Sequence, residues 1–157
     1  GKIRWTYNLT SDGNFSGLAI GRDVIIAPES GNTLYFINQN DGTRFGHSNI
    51  YQGSSLFEPI IDSNANIYIA SEYQYASSDY KLVIIPYRLW EYGGNPTLIS
   101  LGNSKPSSAP VIVDDDYAVV ACEDSIKIIN LKNARHPLIT PKHVVPSSLE
   151  LGKDFIN

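Results

Sequence analysis

Short apolar runs rich in β-branched and aromatic residues recur along the chain, each closed by Gly, Asn, Asp, Ser or Pro. Val24–Ala27, Leu34–Asn38, Ile67–Ala70, Leu82–Ile85, Tyr117–Ala121 and Ile126–Leu131 are the clearest. β-Branched and aromatic side chains suit a pleated backbone, and the flanking residues are those that make turns, so the pattern predicts strands. No window holds a 3.6-residue apolar period long enough for a helix. Tyr87–Tyr92 has room for one helical turn before Gly93, Gly94 and Pro96 end it.

One layout recurs three times: a small or proline-marked strand, a polar turn, a strand ending in Ala, a second turn and another strand. It runs over Gly17–Phe45, over Glu58–Tyr73 continued by Asp79–Trp90, and over Ala109–Asn133. The strand-ending alanines Ala27, Ala70 and Ala121 lie 43 and then 51 residues apart, close to the roughly 40–50 residues of a four-stranded propeller blade. The insertion Tyr73–Ser78 accounts for the longer second copy. A small meander with two apolar faces cannot bury itself, so such units are expected to stack. Ser30–Gly31–Asn32 and Asp41–Gly42 offer positive-φ turn positions, and Asp62–Asn66 and Asp114–Asp116 offer Asx turns.

The expected architecture is all-β: about three antiparallel four-stranded blades, part of a larger ring. Within a single segment over 1–157, residues 1–6 form the last strand of a preceding blade. Blades occupy 16–47, 57–92 (with the inserted loop 73–78) and 108–135, and 136–157 is an extended tail or the start of another blade.

Composition narrows the function. Hydrophobic residues are 42% and charged residues 18% of the 157, which suits a globular core. The longest apolar run, around Ile60–Ile69, is broken by Asp62, Asn64 and Asn66, far short of a membrane-spanning helix. Net charge is −4 with no basic stripe, so nucleic acid is not an expected partner. Cys122 is the single cysteine, which leaves no disulfide framework and no multi-cysteine metal site within the chain.

The first copy resembles the blade motif of the pyrroloquinoline-quinone (PQQ)-type propellers, the quinoprotein dehydrogenase-like repeat. Ser30–Gly31–Asn32–Thr33–Leu34–Tyr35–Phe36–Ile37–Asn38 and Asp41–Gly42–Thr43 stand where that motif has DG-x-LYALD and the following turn. Pro59 and Pro110 match the proline that begins the inner strand. Gly1–Lys2–Ile3–Arg4–Trp5 is similar to the end of a preceding copy, whose outermost strand docks a tryptophan between blades. Trp5, Phe45 and Trp90 are the candidate blade-docking residues on that resemblance. It covers Gly1 to about Asn133, and the motif is degenerate: Phe45 replaces the final Trp in the first copy, and the third has none. The family's enzymes place a disulfide of adjacent cysteines over the cofactor and hold calcium through Glu, Asn and Asp. With Cys122 alone, that disulfide cannot form within this chain. Rings of the family close with about seven or eight blades. The sequence, which has no Met and opens mid-blade, therefore reads as an excerpt of a larger protein, or else as a chain of which several assemble.

Asp62–Asn66 has the alternating oxygens of a calcium loop, but Ile67 and Tyr73 stand where such a loop needs Gly and Glu; turn chemistry is the expectation. His47, His136 and His143 have no metal-ligand spacing, and neither a Gly-x-Ser-x-Gly elbow nor a phosphate loop occurs. Tyrosine, with ten, is the compositional excess. Tyr73, Tyr75 and Tyr80 border or lie in the inserted loop and form the candidate binding loop, since exposed tyrosines bring large contact area at low entropy cost. Asn8–Leu9–Thr10 and Asn14–Phe15–Ser16 fit the glycosylation pattern.

The function expected from these readings is a non-catalytic interaction or scaffold module at the cell surface or elsewhere outside the cytoplasm, recognising a protein or carbohydrate and carrying no cofactor. The alternatives are a fragment of a PQQ-dependent dehydrogenase, with PQQ and calcium, and a carbohydrate-binding surface protein.

Overall fold

The computed structural model describes residues 1–8, 17–29, 33–49, 53–55, 57–73, 79–86 and 95–132. Their alternating apolar pattern folds into twelve strands: β1 (Ala19–Ile20), β2 (Val24–Pro28), β3 (Thr33–Asn38), β4 (Arg44–Asn49), β5 (Gly53–Ser55), β6 (Ile60–Ile61), β7 (Ile67–Tyr73), β8 (Tyr80–Ile85), β9 (Thr97–Gly102), β10 (Val111–Val113), β11 (Tyr117–Ala121) and β12 (Ile126–Asn130). All the strands predicted from the pattern are present. Tyr87–Tyr92, with its expected helical turn, lies outside the described residues.

The strands form three antiparallel meanders. The first sheet runs β1-β2-β3-β4, the second β5-β7-β8-β9 with β6 also on β7, and the third β10-β11-β12. The inner strand of the second sheet is split: Ser55 pairs with Ser71, whereas Ile60 pairs with Tyr68, so four residues face two across the break. The third sheet repeats this device, because Pro106 bridges Cys122 while Val111 pairs with Val119. Buried Pro59 and Pro110 each stand immediately before the inner strand resumes. Proline has no N–H to donate, and the break is where a missing ladder bond costs least.

Stacking buries the faces. Val24, Ile26, Leu34 and Phe36 of the first sheet meet Ile67, Ile69, Val83 and Ile85 of the second. The opposite face of the second sheet, with Tyr68, Leu82, Ile84 and Leu101, meets Ala118, Val120, Cys122 and Leu131 of the third. The outer face of the first sheet, with Ala27, Tyr35 and Ile37, is covered by Trp5 and Tyr7. Each fully buried aliphatic or aromatic side chain contributes about 1.5–3 kcal/mol relative to exposure, and these interfaces hold most of them.

The alanine register needs a correction. In the first sheet the β1–β2 turn is closed by the Gly21 N–H donating to the Val24 carbonyl at 2.8 Å, leaving two residues in the turn. In the second sheet the Asp62 N–H donates to the Asn66 carbonyl at 3.0 Å, leaving three, and the third sheet likewise turns through Asp114–Asp116 between paired Val113 and Tyr117. The shorter first turn slips the following strand by one residue. Ile26, Tyr68 and Val119 are therefore the equivalent positions, paired with Phe36, Ile84 and Ile128. Ala27 faces the outer surface of the first sheet, while Ala70 and Ala121 lie on the other type of face.

Candidate functional site

Antiparallel meanders gather their turns at two ends. The end holding the β1–β2, β6–β7 and β10–β11 turns is built from hydrogen-bonded polar loops. Asp62, buried at the start of its turn, accepts from the Asn64 N–H at 2.9 Å, the Asn66 N–H at 2.8 Å, the Asn66 Nδ2 at 2.8 Å and the Tyr68 hydroxyl at 2.7 Å. Ala65, at the corner, takes φ 64°. The carboxylate is thus committed to holding the turn, and the group resembling a calcium ligand acts as an Asx-turn acceptor.

The next turn leans on this one. Asp114 and Asp115 both have positive φ, 50° and 56°, a conformation that Asp tolerates better than most residues. The Asp115 carboxylate accepts from the Ser63 N–H at 3.4 Å, from the Ser63 hydroxyl and from Asn64 Nδ2 at 3.5 Å. The Leu131 N–H donates to the Asp116 carbonyl at 2.8 Å, and Lys132 pairs with the Asp116 carboxylate at 3.3 Å. Sequence reasoning missed this link between sheets, because its partners lie 52 residues apart. The signal available was the Asp114–Asp116 run, at the place in its copy that Asp62–Asn66 holds in the one before.

Trp5 sits at this end too. Its indole N–H donates to the Gln39 carbonyl at 3.1 Å, and its ring covers Gly42, where φ is 75° and a Cβ would come within 2.6 Å of the ring. Asp41 holds the same turn by accepting from the Thr43 hydroxyl at 2.7 Å and the Thr43 N–H at 2.9 Å. Those bonds hold its carboxyl below the usual range. Phe45 lies on β4 at the bulge, where Ile37 pairs with Arg44 and Phe36 with Gly46, and it is about half exposed.

The opposite end receives the candidate tyrosine loop. Tyr73 is the last residue of β7 and pairs with Gly53. Tyr80 opens β8 and packs, part-buried, against the cluster between the second and third sheets. Tyr75 and Trp90 lie outside the described residues, as does most of the loop. Beside Tyr80, Asp79 accepts from Lys81 Nζ at 2.5 Å and from the Ser100 hydroxyl at 2.7 Å. The Lys81 contact is the main reason its carboxyl titrates below the usual range. Asp124 accepts from the Ser104 hydroxyl and from the Ser125 hydroxyl at 2.8 Å.

Cys122 is buried between the second and third sheets, where desolvation pushes its thiol pKa up. It packs within an apolar interface. Among the described residues, no three His, Cys, Asp or Glu side chains converge as metal ligands.

Comparison with known proteins bears on the fold. No family model matches the sequence. Endonuclease MutS2 from Lactobacillus acidophilus is 63% identical over 27 residues, which span 17% of this chain and 3% of that protein. BamB from Moraxella catarrhalis superposes over 86% of this chain with a TM-score of 0.57 and 16% identity, and this chain spans 42% of its length. The computationally designed Ika4 protein is similar over 83% of this chain and 98% of its own, with a TM-score of 0.47 and 10% identity. The likeness to BamB, together with three stacked antiparallel meanders, shows the architecture: the sheets of this chain are blades of a β-propeller.

Proposed function

We propose that the chain is a non-catalytic interaction or scaffold module of the PQQ-like propeller type, part of a larger ring, working outside the cytoplasm and recognising a protein or carbohydrate surface. The observation that carries the reading is the use made of its acidic groups. Asp62, Asp79, Asp115 and Asp124 each accept hydrogen bonds from neighbouring Ser, Asn, Tyr or Lys side chains. They tie turns and strands together, which is what a scaffold asks of its carboxylates. The part-buried Tyr80 anchors one side of the loop carrying Tyr73 and Tyr75, leaving that loop as the recognition element.

Titration with PQQ and calcium, followed by absorbance, is expected to show no saturable change; saturation would instead favour the dehydrogenase reading. A glycan array run beside the Tyr73→Ala and Tyr75→Ala variants separates the two kinds of ligand. Glycan binding lost in both variants would make the surface ligand a carbohydrate. Absence of glycan binding leaves a protein partner, to be sought by cross-linking that the same variants abolish.

A further inference from the structure

Apolar side chains are exposed at both ends of the stack of sheets. The outer face of the third sheet carries Val111, Val113, Tyr117, Ile126 and Ile128, with Ile126 72% and Ile128 70% exposed. On the first sheet, Trp5 and Tyr7 cover the part of the outer face built from Ala27, Tyr35 and Ile37. On its inner strand and the residues leading into it, Leu18 is 56% and Ile20 65% exposed.

These positions match ones that are covered elsewhere in the same molecule. Ile128 corresponds to Phe36 and Ile84, and Ile126 to Leu34 and Leu82, all four of which are at most 1% exposed under the next sheet. Ile20 corresponds to Ile61, which packs into the interface between the first and second sheets. The third sheet thus presents one type of face, the first sheet presents the other, and the two internal interfaces each join one type to the other. None of the exposed positions named is ionisable except Tyr117, so burial incurs little charge desolvation.

The strand count points the same way. Among the described residues the third sheet has three strands, whereas the first has four. Residues 1–8 belong to no sheet and lie against the first sheet through Trp5 and Tyr7, on the side where a preceding sheet would stack.

We propose that a second copy of this chain docks head to tail, the first sheet of one copy against the third sheet of the other. Residues 1–8 of the first then lie along β12 of its neighbour as a fourth strand. Two copies, each spanning 42% of the BamB chain, together supply most of the extent of a propeller of that size. A head-to-tail contact closes into a ring when its rotation allows. The inference rests on the propeller fold and is independent of the recognition role.

Analytical ultracentrifugation over a hundredfold concentration range tests it. The unaltered chain is expected to sediment at twice the monomer mass. Ile128→Glu and Ile20→Glu are each expected to sediment as monomers with unchanged far-ultraviolet circular dichroism, since both side chains are exposed. Asn103→Glu, on the exposed turn that follows β9 of the middle sheet, is expected to leave the dimer intact. A monomeric unaltered chain overturns the proposal and leaves the face to a further sheet or another partner. A dimer that survives Ile20→Glu but not Ile128→Glu overturns the head-to-tail arrangement in favour of pairing through the third sheet alone. Dissociation by Asn103→Glu places the contact elsewhere and overturns it equally.

Discussion

Asp62 and Tyr68 show how much a single buried acidic group can organise. The hydroxyl of Tyr68, a fully buried side chain, donates to Asp62 at 2.7 Å, and the other donors to that carboxylate come from within the turn. Tyr68→Phe removes one donor to Asp62 Oδ2 and leaves that oxygen the bond from Asn66 Nδ2. A buried hydrogen bond lost in this way costs about 1–3 kcal/mol, and urea unfolding is expected to show a lower midpoint with an unchanged slope. The turn role of Asp62 was legible in the sequence, since Ile67 and Tyr73 break the calcium-loop pattern. Its bond to Tyr68 was not, because alternation shows which face a side chain takes and says nothing of where its polar tip ends.

At the level of strands and turns, the pattern of apolar runs was sufficient to locate six of them, because each run is bounded by residues that cannot continue a ladder. The relation between copies was not legible to the same depth. A two-residue turn at Arg22–Asp23 and three-residue turns in the later sheets differ by one residue, and in a strand one residue exchanges the two faces. The recurring alanines hide that exchange, whereas the pairing of Ile26 with Phe36 and of Tyr68 with Ile84 reveals it. The candidate tyrosine loop was visible as an insertion, but the packing of Tyr80 depends on Leu101 and neighbours on another strand. The β3–β4 turn supplies a sharper test. Gly42 has φ 75° and lies under the Trp5 ring, so Gly42→Ala combines a strained backbone with a clash and is expected to expel the indole. With Trp90→Phe as background, the remaining tryptophan fluorescence should shift to the red, and the shift should be absent from Gly46→Ala, where a Cβ meets nothing within 4 Å.

Across the whole molecule, stability is set by which sheets are covered on both faces. The second sheet is packed on one side by the first and on the other by the third; among the described residues the third is packed on one side only. In stacked architectures each unit draws its stability from its neighbours. Hydrogen exchange on the Ile128→Glu chain is expected to find the β7 and β8 amides slowest and those of β12 exchanging well ahead of them. Equal protection across the three sheets would instead indicate one indivisible cooperative unit.

The middle sheet therefore has the properties of a cassette. It presents Ile67, Ile69, Val83 and Ile85 in front and Tyr68, Leu82, Ile84 and Leu101 behind, each side already accepted by a neighbour of the same kind. A tandem duplication of residues 53–102 would set the back of one copy against the front of the next, the same pairing of face types that both existing interfaces use. Genetic lengthening of such a protein needs no invention of new surfaces, only a copying event whose ends fall in the loops.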